Sequence, residues 1–164
     1  MTVTFEHMTS LPALEAARNS ICSKIPLREN VIRAKLNRLD LALLSHRLQT
    51  REYKHRKCNA RYRNIEGKQR FIDSPDLVDK LVQRVYVDTI TPRMEELSSD
   101  SSHGYRPNRS IHTGLWHLIQ SIEKGNLAQV FRTDIEGFFD NVRHDDMAAC
   151  IRDCISDPEL LRFS

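Results

Sequence analysis

No run of apolar residues approaches the roughly 20 needed to cross a bilayer as a helix, so no membrane contact is expected. A secretory signal is not expected either, because MTVTFEHMTS has no basic stretch leading into an apolar core. Glu6 and Glu15, with few early arginines, argue against an import leader but leave synthesis inside an organelle open. The expected location is the cytoplasm, or the mitochondrion or plastid for an organellar gene. Cysteine is sparse, and Cys22, Cys58, Cys150 and Cys154 are read as reduced thiols. Cys150 and Cys154 would share a helix face, but no second Cys or His pair completes four zinc ligands, so a buried thiol face is expected. Internal repeats and low-complexity tracts are absent.

What is present suits a folded chain. The 164 residues, 29% of them charged, allow one domain with a core or two small subdomains. A net charge of +3 is too small to announce a nucleic-acid partner, but its distribution is uneven. Arg51, Lys54, Arg56, Lys57, Arg61, Arg63, Lys68 and Arg70 crowd one segment against only Glu52 and Glu66, with Tyr53 and Tyr62 interleaved. Such a segment can meet phosphates and stack bases, or can be an ordinary solvated face.

Periodicity places the elements. Ile32, Leu36, Leu39 and Leu43 predict one amphipathic helix over 29–49, and Ala60 to Phe71 reads as a hairpin around Glu66-Gly67. Ser74-Pro75-Asp76 predicts a helix start with Ser74 as N-cap, and Thr91-Pro92 a break. A helix follows over 108–124 with Ile111, Leu115, Leu118 and Ile122 inward and Gly125 as its stop. Leu127 to Thr133 reads as a strand delivering Asp134, and His144 or Asp145 as the cap of a last helix over Met147, Ile151 and Ile155. The class is α+β: helix-rich, with a short β-hairpin and one further strand.

The stretch FRTDIEGFFDNVRHDD concentrates carboxylates around two phenylalanines. An aspartate at a strand end, beside a backbone carbonyl, can supply part of a Mg²⁺ site for phosphoryl transfer. Turn and capping roles for Asp134 and Asp140 are the plainer alternative.

Order then adds to the motifs. Gln69-Arg70, Ser74-Pro75, Asp79-Lys80-Leu81-Val82-Gln83, His103-Gly104-Tyr105-Arg106-Pro107-Asn108-Arg109-Ser110 and Asp134 to Asp140 follow one another along the chain. This ordered set, from about Tyr62 to the C-terminus, resembles the first half of a reverse transcriptase of the group II intron-encoded (maturase) type. The resemblance implies the fingers and partial palm of a right-hand polymerase: an N-terminal helical extension over 1–50, fingers over 51–125, and the beginning of the palm over 126–164. The strand from Leu127 would then be a palm strand.

By that resemblance Asp134 is the catalytic aspartate and, with the Ile135 carbonyl, a Mg²⁺ ligand. Phe139 is the gate against a ribose 2′-hydroxyl, and Arg70 clamps the triphosphate of a dNTP. The family places a lysine six residues before that arginine; Asn64 stands here, so Arg63 or Lys68 is the substitute to consider. Asp79, Gln83, Arg106 and Arg109 match positions that organise fingers and template contacts, with hydrogen bonding inside the fold an equal reading. Arg56, Lys57, Arg61, Arg106 and Arg109 are the RNA-binding set. The partners implied are template or intron RNA, a DNA primer and dNTP.

The family's Tyr-x-Asp-Asp pair and its preceding Pro-Gln-Gly do not occur in this sequence, and Asp145-Asp146 lies too close to Asp134 to replace them. The expectation is an N-terminal part of such an enzyme, inactive alone and in need of the rest of the polymerase. A non-catalytic RNA-binding remnant of a maturase is the alternative.

Overall fold

A computed structural model describes residues 3–125 and 129–163, except for the side chains of Leu27, Phe139, Asp140 and Phe163. Two compact units emerge, Met1–Pro92 and Arg93–Ser164. The architecture is helix-rich with one two-stranded antiparallel sheet, compatible with α+β. Among the described residues no helix is long and apolar enough to cross a membrane.

The first unit begins with α1 (Phe5–Thr9) and α2 (Leu11–Lys24), joined at Ser10. The Ser10 hydroxyl accepts the Ala13 N–H at 3.4 Å and donates to the His7 carbonyl at 2.8 Å, so one residue ends α1 and caps α2. After a 3₁₀ turn come α3 (Asn30–Asn37) and α4 (Leu41–Gln49). The single helix expected over 29–49 is therefore two. Asp40 breaks it, taking extended backbone angles and accepting the Leu43 N–H at 2.9 Å as the N-cap of α4. Packing of α1, α2 and α4 buries Met8, Leu14, Ala17, Leu41, Leu44 and Leu48, and the buried Ser45 hydroxyl donates to the Thr9 carbonyl at 2.6 Å. Leu36 is buried from α3, whereas Leu43, expected on the same stripe, is exposed because the break re-aims α4.

Strands β1 (Asn59–Ile65) and β2 (Lys68–Ser74) form the hairpin, with the turn where expected. Glu66 (φ 53°) and Gly67 (φ 80°) both sit in the left-handed region, as a two-residue turn matched to strand twist requires. Ser74 ends β2 rather than capping a helix. The next helix, α5 (Leu77–Leu97), opens with the Lys80 N–H donating to the Asp76 carbonyl at 2.8 Å. It buries Leu81, Val82 and Val85 and runs through Pro92 without the expected interruption. Proline removes the donor that would reach the Asp88 carbonyl. One lost bond is tolerated where the remaining ladder and a buried apolar face hold the turn.

In the second unit, α6 (Ile111–Glu123) starts at a capping box of Ser110 and Thr113 and stops before Gly125 (φ 67°). Its apolar stripe is not inward: Ile111, Leu115 and Ile122 are exposed and Leu118 only half-buried. Residues 129–135 carry no strand, so the described part of the expected palm strand is irregular, and Leu127 lies outside the described residues. A strand needs a partner for its backbone groups, and the described residues contain none for it beyond the closed hairpin. Then come α7 (Phe138–Asn141), α8 (His144–Cys154) and α9 (Pro158–Phe163). Neither His144 nor Asp145 caps α8. Arg143 is the boundary residue, and Asp145 and Asp146 lie in the first turn, where the helix dipole favours them. Ile155 and Leu160 are buried, but Met147 and Cys150 are exposed, so the expected thiol face is not a buried one.

Candidate nucleic-acid interface

Strand register sorts the basic segment into two faces. Arg61 opposes Ile72, Arg63 opposes Arg70 and Ile65 opposes Lys68, while Tyr62 opposes Phe71 and Asn64 opposes Gln69. Directly opposed residues share a face and neighbours alternate. Arg61, Arg63, Lys68 and Arg70 therefore lie together on one face, with no acidic residue among their strand partners. The other face holds Tyr62 and Phe71, ring centroids 5.1 Å apart, together with Asn64 and Gln69. All of β1 is exposed, and Tyr62 and Phe71 keep 73% and 58% of their surface in solvent. Large rings left this open are available for stacking.

At the foot of the basic face a hollow of about 430 Å³ is lined by Asn59, Arg61, Arg63, Ile72, Ser74 and Lys80. Lys80, from the first turn of α5, thus adds a cation to the hairpin's set. The sequence signal for it was its place in the Asp79-Lys80 box, directly before the buried Leu81 and Val82.

A junction built on Asp79 holds the approach to β1. Its carboxylate is 2% exposed and accepts from the Tyr53 hydroxyl and from the Arg56 N–H (3.1 Å), with His55 Nδ1 3.3 Å away. Burial first, then the Asp79 hydrogen bond, pushes the Tyr53 hydroxyl well above its ordinary value. Tyr53 is therefore anchored at this junction through its hydroxyl. Arg56 donates from Nη1 to Asp76 Oδ2 at 2.7 Å, so one of the expected RNA contacts is already paired, whereas Lys57 is exposed. Gln83 is exposed on α5.

The two second-unit arginines have internal partners. Arg106 forms a forked pair with Glu95, both bonds at 3.0 Å, and donates to the carbonyls of Ser99 (2.6 Å) and Ser102 (3.0 Å). The hydrogen bond from Arg106 holds the Glu95 carboxyl below the usual range. Arg109 donates to the Asp100 carbonyl at 2.9 Å. Both build the loop that precedes α6.

The carboxylate stretch is open. Asp134 is exposed, its Oδ1 accepting the Ile135 N–H at 3.0 Å, and Ile135 keeps 69% of its surface in solvent. Gly137 (φ 60°) turns the chain into α7, which carries Phe139, whose side chain lies outside the described residues. No cluster of three or more His, Cys, Asp or Glu able to hold a metal occurs among the described residues. Asp134 and the Ile135 carbonyl therefore belong to no such cluster among the described residues.

No family model matches the chain. Among curated proteins it is similar to the group II intron-encoded protein LtrA of Lactococcus lactis subsp. cremoris, 33% identical over 93 residues, which is 57% of this chain and 15% of that protein. An uncharacterized 91 kDa protein in a cob intron of Schizosaccharomyces pombe is 30% identical over 85 residues, 52% of this chain and 10% of that one. Protein YkfC of Escherichia coli is 31% identical over 98 residues, 58% of this chain and 26% of that one. The chain thus spans about a quarter or less of each curated relative, and the similarity supports an origin related to intron-encoded reverse transcriptase or maturase proteins.

Proposed function

We propose that the chain is the fingers and first palm stretch of a group II intron-type RNA-directed DNA polymerase, working on RNA template, DNA primer and dNTP with Mg²⁺. The observation that carries this reading is the one-sided hairpin. Arg63 faces Arg70 across the strands while Asn64 faces the opposite way. In the family pattern a lysine accompanies Arg70; on this register Arg63, and not Asn64, shares its face and can share its anion. Two guanidiniums side by side suit a phosphate chain.

Asp134, with the Ile135 carbonyl, is proposed as part of the metal set, Phe139 as the sugar gate, and Lys57, Arg61 and the free cations of the hairpin as RNA contacts. Polymerisation is not assigned to this chain alone, since two Mg²⁺ ions need further carboxylates. The purified chain is expected not to extend a DNA primer on RNA. Extension that disappears in Asp134→Asn would refute this.

A second reading, a non-catalytic RNA-binding protein of maturase descent, rests on the exposed basic face of the hairpin alone and needs no metal site. RNA affinity that falls steeply with salt supports either reading, and a salt-independent affinity counts against both. A dNTP binding equilibrium that weakens in Arg70→Gln supports the polymerase and is not expected of the remnant.

A further inference from the structure

A histidine pair lies ahead of and on α6, away from the carboxylate stretch in sequence. Thr113 Oγ1 accepts the Ser110 N–H and donates to the Ser110 carbonyl, both at 2.8 Å. With that proton on the Ser110 carbonyl, the 2.9 Å contact between Thr113 Oγ1 and His103 Nδ1 is donated by the imidazole in its Nδ1–H tautomer, which leaves the Nε2 lone pair open. Gly114 leaves space for the ring, since a Cβ there would come within 3.4 Å of His103 Cβ and Cγ. Nε2 of His103 lies 3.3 Å from Nδ1 of the exposed His117.

We propose that His103 and His117 form a two-histidine site for a borderline divalent cation of the Zn²⁺ class. The spacing fits. Tetrahedral Zn²⁺ with Zn–N bonds of about 2.0–2.1 Å places two ligand nitrogens roughly 3.3–3.4 Å apart. A ligating histidine that donates its other N–H to an oxygen is the usual way such a ring is oriented, and Thr113 supplies that oxygen. Imidazole nitrogens select Zn²⁺, Cu²⁺ or Ni²⁺ over Mg²⁺, which prefers oxygen, so this site would be distinct from any Mg²⁺ chemistry at Asp134.

Two arginines stand nearby and would repel a cation, but Arg106 is paired with Glu95 and Arg109 with Asp100. On binding, His117 moves its proton to Nε2, so neutral rings release no net proton. The other coordination positions stay with exchangeable ligands, which makes the site of moderate affinity.

The test is a Zn²⁺ titration of the full chain at neutral pH, followed by imidazole ¹⁵N–¹H resonances and by calorimetry. One equivalent should move the His103 and His117 ring signals together, and Mg²⁺ should move neither. His117→Gln should weaken binding at least about tenfold with an unchanged circular dichroism spectrum. The double substitution Cys150→Ser, Cys154→Ser should leave affinity unchanged. Ring signals unmoved at millimolar Zn²⁺, binding that survives His117→Gln, or binding lost with the two cysteines would each overturn the proposal. If His117→Gln fails to fold, the wild-type ring signals alone decide. None of these outcomes bears on the polymerase reading.

Discussion

Arg63 and Arg70 stand directly opposite each other across β1 and β2, and neither has an acidic partner among the described residues. Like charges paired across strands oppose folding. A hairpin that keeps such a pair exposed gains most when an anion lies between them.

Neutralising one member separates stability from binding. Arg70→Gln or Arg63→Gln should raise stability by about 0.2–1 kcal/mol in urea denaturation. The same change should weaken dNTP binding and reduce its salt dependence. A variant that loses stability and binds dNTP unchanged would show that the pair is not an anion site.

Asp79 holds Tyr53, Arg56 and His55 at the approach to the hairpin. Asp79→Ala removes the carboxylate that accepts from the Tyr53 hydroxyl and the Arg56 N–H, at a cost of about 1–3 kcal/mol. Amide exchange at Arg56 should quicken by more than global unfolding explains. Equal protection in variant and wild type would place the anchor elsewhere.

Alkaline pH tests the same junction. The Tyr53 hydroxyl is raised above its ordinary value of 10.0, so the folded chain holds that proton more tightly than the unfolded one. Its stabilisation is complete below about pH 10 and is lost as pH rises beyond it toward the higher folded value. Stability measured against pH should therefore fall less steeply there in Tyr53→Phe than in wild type.

Acid acts on the second unit through the opposite sign. Arg106 lowers the Glu95 carboxyl below 4.5, and His103 is held below 6.5. Each contribution is present above the ordinary value and is lost as pH falls through the lowered one. The melting temperature should drop first below about pH 6.5 and again below about pH 4.5. Arg106→Lys, which cannot reproduce the fork, should lower it at neutral pH and flatten the second step.

Asp134 is exposed and makes only a local bond to Ile135. Asp134→Asn should therefore change stability by less than about 0.5 kcal/mol in this chain. A large loss would give the carboxylate a folding role that its surroundings do not indicate.

Local patterns were legible where one residue's own chemistry decides. Glu66-Gly67 marked the turn because both positions need positive φ, and Gly125 marked the end of α6 for the same reason. The Ser110 and Thr113 cap was not legible in the sequence, where the helix is expected from 108, because Thr113 is not the usual Glu or Gln of that motif. Asp40 shows the limit of periodicity: Ile32, Leu36, Leu39 and Leu43 are spaced for one helix, yet a single side chain competing for the Leu43 N–H makes two. Pro92 shows the reverse, a breaker held inside a helix by the turns around it.

Composition placed eight basic residues and two tyrosines in one segment, but not how they divide. Pairing across β1 and β2 put Arg61, Arg63, Lys68 and Arg70 on one face, because opposed residues share a side whatever their distance along the chain. Contacts between Tyr53 and Asp79, and between Arg106 and Glu95, give internal partners to residues that the sequence offered to a ligand and to the fold alike. Such partners lie 26 and 11 residues apart, and only chain folding can bring a particular acid within reach of a particular hydroxyl or guanidinium.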